Sequence, residues 1–119
     1  MSNEFNVRNG LKVDDFVLSY AINADVDTGT EVIDTFPKTI GASADWDYVI
    51  VKGANVKAGH IRAAWDAASN TIDDSGEVNT VLLGTVVLTF TIDIDADMVR
   101  LRATVVSDDW HVRALRKVL

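Results

Sequence analysis

The chain has 119 residues, of which 48% are hydrophobic and 24% are charged, a composition typical of one globular domain and unlike that of a disordered chain. Eleven basic and 18 acidic side chains give a net charge of -7, which argues against nucleic acid and anionic membranes as partners. The chain contains no cysteine, which excludes disulfides, thiolate metal sites and cysteine nucleophiles.

The N-terminal segment is dense in apolar residues but resembles neither a signal peptide nor a membrane span. MSNEFNVRNG is polar from its start, and the apolar stretch Phe16–Ile22 is far too short to cross a bilayer, so we expect synthesis in a cytoplasm. We divide the chain into a segment over residues 1–31 and a compact domain over 32–119. The segment either contacts another chain or adds strands to its own sheet. The candidate assembly residues are Phe5, Val7, Leu11, Val13, Phe16 and Leu18.

Alternating apolar residues dominate the centre of the chain and indicate half-buried strands. Trp46, Tyr48 and Ile50 alternate with other residues up to a turn-like cluster at residues 52–55, and a second run follows from Val56 to Trp65. This arrangement predicts a β-hairpin. The second run also suits a helix, although we favour a strand.

A second hairpin is predicted further along the chain. Alternation runs from Val86 to Ile94 and again from residue 99 to 105, and the short acidic link between them is compatible only with antiparallel pairing. Phe90 and Leu101 are its predicted core residues. Residues 66–77, rich in Asp, Ser, Asn and Gly, are predicted to form a loop.

The last twelve residues, DDWHVRALRKVL, fit two structures equally well. They match an amphipathic helix capped by Asp108, and they match a strand with Trp110, Val112 and Ala114 facing inward. Taken together, the alternation predicts an all-β protein, an antiparallel, jelly-roll-like β-sandwich with a short N-terminal extension.

Two groups of oxygen-bearing side chains are candidate metal sites. Asp93, Asp95 and Asp97 alternate along one strand end, and the second group is a short acidic loop. Neither matches the calcium loop of helix-loop-helix proteins, which needs more oxygens and a glycine at a set place. We therefore expect no metal and no cofactor. The loop residues are Asp25, Asp27, Thr28 and Glu31.

Catalytic patterns are also weak. A hydrolytic triad would need His60 or His111 beside a nucleophilic serine, but the serines do not lie in a glycine-framed strand-to-helix turn. The seven glycines form no phosphate-binding loop. We expect a protein without enzymatic activity.

Three tryptophans are many for a chain of this length. Trp46 lies in the clearest alternation and is expected in the core, whereas Trp65 and Trp110 each adjoin an aspartate. These two are candidates for an exposed aromatic platform, the feature that a carbohydrate-binding module would require.

Several short segments together resemble a known structural module. VIDTFPK at Val32–Lys38, YVIVK at Tyr48–Lys52, MVRLRAT at Met98–Thr104 and the final VRALRKVL are similar to a β-sandwich module of virion structural proteins of tailed bacteriophages. FNVRNGLKV, at residues 5–13, is similar to a segment that precedes such modules in fibre proteins.

The resemblance implies a non-catalytic virion component that assembles with itself, commonly as a trimer, and with other virion proteins. It implies no ligand-binding residues. Fibre proteins carry long shafts, and no shaft is found here, which favours a capsid decoration or neck component beside the tail-fibre and appendage types. A carbohydrate-binding β-sandwich module is the alternative function.

Overall fold

The computed structural model describes residues 11–13 and 16–119, with side chains from residue 18 onward. The described part consists of ten β-strands and one short 3-10 turn at Lys38–Ile40. The strands are β1 (Leu11–Val13), β2 (Phe16–Val26), β3 (Gly29–Pro37), β4 (Ser43–Lys52), β5 (Asn55–Asp66), β6 (Thr71–Asp74), β7 (Val78–Leu83), β8 (Leu88–Asp95), β9 (Met98–Val105) and β10 (Trp110–Val118).

The strands form two sheets of unequal width. Sheet A has the order β1-β2-β10-β4-β5-β6, with β7 also paired to β5, and sheet B has the order β3-β9-β8. Every strand pair is antiparallel. The predicted all-β antiparallel sandwich is therefore confirmed.

Both predicted hairpins are present. The hairpin of β4 and β5 turns at Gly53, whose φ of 58° favours glycine, and the hairpin of β8 and β9 turns at Ala96 and Asp97, whose φ angles are 49° and 66°. In the hairpin of β8 and β9, positive φ at both central residues, Ala96 and Asp97, matches the right-handed twist of the flanking strands. Residues 56–65 thus form a strand rather than a helix.

The C-terminal run is a strand, because β10 lies between β2 and β4 and uses both of its hydrogen-bonding edges there. A helix at this position would leave the backbone groups of both neighbours without partners. The loop predicted over residues 66–77 is partly wrong. Thr71–Asp74 forms the edge strand β6, in which Ile72 pairs with Trp65 and packs against the core.

The described part of the N-terminal segment supplies strands to the chain's own sheets. β2 pairs with β10 along most of its length, and β3, which begins at Gly29, continues past residue 32 in sheet B. The use of residues 1–31 as an assembly segment stays a prediction.

The core lies between the two sheets. Trp46 and Leu101 have no exposed surface, in agreement with the prediction for both. Phe90 is only half-buried, and its ring packs edge-on against Tyr48 with centroids 4.8 Å apart. Phe36 of sheet B contacts the rings of Trp46 and Trp65 in sheet A, so aromatic packing joins the sheets.

A buried ion pair also joins the sheets. Nη1 of Arg116 lies 2.9 and 3.0 Å from the carboxylate oxygens of Asp34, and the guanidinium stacks over Phe36 at 4.4 Å. Asp34 also accepts a 2.9 Å hydrogen bond from the indole N–H of Trp46. A register shift between Val32 and Asp34 accompanies burial of both Ile33 and Asp34, which are consecutive in sequence.

No helix in the described part of the chain is long and apolar enough to cross a membrane.

Candidate assembly surface

Trp65 and Trp110 do not form an exposed platform, so this prediction is wrong. Their relative exposures are 7% and 4%. The indole N–H of Trp65 donates to the carbonyl of Lys38, and that of Trp110 donates to the Ser107 hydroxyl. Asp66 is exposed because neighbouring residues of a strand point to opposite faces, and the exposed Asp109 lies in the turn before β10 with a φ of 71°.

The predicted N-terminal contact residues can be placed only in part. Phe5 and Val7 lie outside the described residues, and for Leu11, Val13 and Phe16 only the strand pairing of the backbone is described. The side chain of Leu18 is half-buried, and the residue pairs with Lys117 of β10. Their role in assembly stays a prediction.

The most distinctive surface is the side of sheet A that points away from sheet B, here called the outer face. Residues that pair across antiparallel strands share a face, so the registers define its rows. One row crosses five strands from β2 to β7 and is apolar except for one arginine. Its members are Ile22, Arg113, Val49, Ala58 and Val81.

Two flanking rows extend this apolar surface. Val51, Val56 and Leu83 lie on one side of it, with His111 of β10 in the same row. Tyr20 and Leu115 lie on the other, followed by Asp47 and His60. The apolar side chains at both ends of the rows are strongly exposed. The exposed fractions are 57% for Tyr20, 53% for Ile22, 48% for Leu115, 68% for Val81 and 64% for Leu83.

A shallow groove of about 500 Å³ lies within the outer face. Its walls include the exposed Tyr20, Ile22 and Leu115, together with Asp47 and Arg113. The groove is therefore mostly apolar, with one acidic and one basic side chain. Pockets with this character usually accept an apolar group of a ligand or of another protein.

The next row of the outer face is charged and internally paired. Asp45 lies between Arg62 and Lys117, whose Nε and Nζ atoms are 2.9 and 3.7 Å from its carboxylate oxygens. Nε2 of His60 is 3.1 Å from the same carboxylate. Burial alone would raise the pKa of Asp45, but the hydrogen bond from Arg62 and the nearby positive charges outweigh it and lower the pKa. This carboxylate stays ionised.

Arg113 and Asp47 lie outside that charged row and have different surroundings. Arg113 is exposed and forms no salt bridge with any residue that the structure describes. The Asp47 side chain is 70% exposed and bonds through Oδ1 to Nδ1 of His60, at 2.8 Å. Besides the paired row, the outer face therefore presents the acidic Asp47 on β4 and the basic Arg113 on the neighbouring strand β10.

In the oxygen-rich loop predicted near residue 25, Asp25 and Asp27 cluster with Asp109 and not with Thr28 and Glu31. Carboxylate oxygens of Asp25, Asp27 and Asp109 lie within 4.8 Å of one another. Thr28 instead bonds to Asp108, and Glu31 accepts hydrogen bonds from Asn23 and from the backbone N–H of residue 27. The hydrogen bond with Asp27 and repulsion by the same group raise the pKa of Asp25.

The acidic group formed by Asp93, Asp95 and Asp97 is paired with basic side chains. Arg100 forms two hydrogen bonds to Asp93, at 2.8 and 2.7 Å, and approaches Asp95 at 3.4 Å, while Arg102 approaches Asp93 at 3.1 Å. The hydrogen bond from Arg100 lowers the pKa of Asp93. Asp97 pairs with Lys38 at 3.0 Å. The three carboxylates thus serve as ion-pair partners.

Neither histidine lies in a catalytic arrangement within the described residues. His60 contacts the carboxylates of Asp45 and Asp47, and its hydrogen bonds include no serine. Nε2 of His111 is buried and has no hydrogen-bond partner among the described residues. A histidine that activates a hydroxyl nucleophile needs that hydroxyl within hydrogen-bond reach.

Comparison with known proteins gives structural likeness only. No protein family matches the sequence, and no curated protein matches it. The tailspike protein of Acinetobacter baumannii phage AM24 aligns with 87% of this chain at a TM-score of 0.52 and 6% identity. The tailspike protein of Acinetobacter phage vB_ApiP_P1 aligns with 98% of it at a TM-score of 0.48 and 14% identity.

The chain spans about a quarter of these tailspike chains, 25% of the first and 23% of the second. At 6% identity the likeness to the first tailspike concerns the fold: this chain has a β-sandwich fold similar to that of one part of a phage tailspike.

Proposed function

We propose that this protein is a non-enzymatic structural module of a bacteriophage virion, associated with the tail, and that it acts by assembling with other protein chains. The observation that carries the proposal is the broad, exposed apolar outer face of sheet A on an otherwise charged domain. Contiguous apolar surfaces of this kind are typical of protein–protein contact sites.

The location in a virion rests on two supports. The sequence segments described above resemble virion modules of tailed phages, and the fold is similar to part of a phage tailspike. We favour a tail-fibre or appendage component over a capsid decoration protein, because the structural likeness is to a tail component. We expect a homotrimer, in contact with other virion proteins.

The absence of enzymatic activity is part of the proposal. It is supported by the surroundings of His60, which bonds to two carboxylates. The carbohydrate-binding alternative has lost its discriminating feature, because Trp65 and Trp110 are buried.

The location is tested with an antibody against the folded domain. We expect it to label the tail of purified particles in negative-stain electron microscopy and to detect the chain in the particle fraction of a density gradient. Detection only in the soluble fraction would contradict the virion assignment. Release of reducing ends from host surface polysaccharide by the purified protein would contradict the non-enzymatic assignment.

A further inference from the structure

We propose that a neighbouring copy of this chain covers the outer face of sheet A, with Arg113 of one copy paired to Asp47 of the next. The inference rests on the proposed assembly function and deepens it by naming the surface and the partner. The residues of this contact lie on β2, β4, β5, β7 and β10.

The size of the surface supports a stable contact. Five strands spaced about 4.8 Å apart and three rows that repeat every 6.7 Å or so cover about 500 Å². Arg113, His111, Asp47 and His60 also lie in these rows, so this area is not wholly apolar. It amounts to more than half of the about 800 Å² that each partner buries in a stable interface. The charged row beside them extends it.

The edge of the same face is unprotected. β7 pairs only with β5 among the described strands, all six of its residues are exposed, and none of them is charged or proline. Natural edge strands are usually protected by charges, proline or a covering segment. Val81 and Leu83 extend the apolar rows to this edge, so a copy lying on the outer face would cover their side chains as well.

The charges favour a second copy as the occupant. Two molecules with a net charge of -7 repel each other at long range, and contact is least costly where charges are balanced. The rows described above have three basic side chains, Arg62, Arg113 and Lys117, beside Asp45 and Asp47, and Asp66 and Asp73 lie on the same face toward β6. Basic and acidic groups are therefore nearly balanced on this face, unlike in the chain as a whole.

The positions of Arg113 and Asp47 make this face complementary to itself. They lie on adjacent strands in adjacent rows, because Arg113 pairs with Val49 and Asp47 pairs with Leu115. A second copy placed against this face pairs the carboxylate of one molecule with the guanidinium of the other. In the proposed trimer the contact is head-to-tail, so that Asp47 of each copy pairs with Arg113 of the next.

A charge exchange tests the pairing. Wild type, Arg113→Asp, Asp47→Arg and the double variant are compared by sedimentation velocity at equal concentrations, and circular dichroism checks the fold. We expect each single variant to weaken self-association at least tenfold and the double variant to recover most of it. Single variants that associate like wild type, or a double variant that stays as weak as the singles, would overturn the pairing.

The apolar contact has a matched control outside the face. Leu115→Asp places a charge in the groove, whereas Val106→Asp places the same charge at a 74% exposed valine that follows β9 of sheet B. We expect Leu115→Asp to be monomeric in solution and Val106→Asp to keep the oligomeric mass of the wild type. Equal masses for both variants, or a monomeric wild type, would overturn the inference. A monomer destabilised only by Leu115→Asp would indicate that the chain's own N-terminal residues cover the face. Particle labelling is independent of these results, so the two proposals can fail separately.

Discussion

Removal of one partner from the Asp34–Arg116 pair should strongly destabilise the fold. Each residue is only 8% exposed, and the pair connects β3 of sheet B with β10 of sheet A. Asp34→Asn leaves a buried guanidinium without a counter-charge, and Arg116→Met leaves a buried carboxylate that retains only the Trp46 N–H donor. Breaking a buried ion pair from one side costs about 3–5 kcal/mol.

The double variant should lose much less stability than the sum of the single variants. Asp34→Asn with Arg116→Met removes both charges while the asparagine oxygen still accepts the hydrogen bond of Trp46. Replacement of a buried ion pair by well-packed apolar groups of similar volume is often nearly neutral, and the double variant departs from this only by the amide N–H donors of the asparagine. We therefore expect a coupling energy of about 2 kcal/mol or more between the two positions.

Urea unfolding followed by tryptophan fluorescence measures these effects, because the Trp46 ring is fully buried and beside the pair. With m-values of about 1–3 kcal/mol/M, each single variant should lower the midpoint by at least about 1 M. All samples need one protein concentration, since self-association adds to apparent stability. Single variants that cost less than about 1 kcal/mol, or strictly additive effects, would refute this reasoning.

Three further changes test other parts of the structure. Gly59→Ala should lower the melting temperature by several degrees, because its Cβ would collide with the buried ring of Tyr48; an unchanged value would show that the ring moves aside. Phe90→Ala should cost about 2–3 kcal/mol in urea unfolding, below the 3–5 kcal/mol typical of a fully buried aromatic, and a cost below about 1 kcal/mol would contradict its packing on the core. Asp25→Asn should raise the melting temperature at neutral pH, because the raised pKa of Asp25 in the presence of Asp27 makes its ionised form costly in the folded state. This rise in melting temperature should fade as the pH falls toward 3.8, the ordinary pKa of the group. A chelator should leave the melting temperature of the wild type unchanged, and a melting temperature that falls with the chelator and returns with calcium would contradict this account.

The sequence predicts the hairpins well because their alternation is regular and uninterrupted. In β9 every second residue from Val99 to Val105 is buried, as the period of two requires. The C-terminal run could not be assigned because WHVRALRKV satisfies both a period of 2 and a period of 3.6. Only its position between β2 and β4 decides in favour of a strand.

Other features depend on contacts between distant parts of the chain. Asp34 and Arg116 are 82 residues apart, and the register shift in β3 that accompanies burial of Asp34 has no clear sequence signal. The adjoining aspartates suggested exposure of Trp65 and Trp110, although Asp66 points to the opposite face of β5 and Asp109 lies in the turn before β10. The apolar outer face was not predicted either, because its rows combine single residues from five strands.

The solution mass of the wild-type protein tests the assembly account most directly. Multi-angle light scattering over a range of concentrations should give a multiple of the 13.0 kDa chain mass, and we expect a factor of three. A mass of 13.0 kDa at every concentration, unchanged when the protein is mixed with purified particles, would contradict the claim that this domain works by assembly.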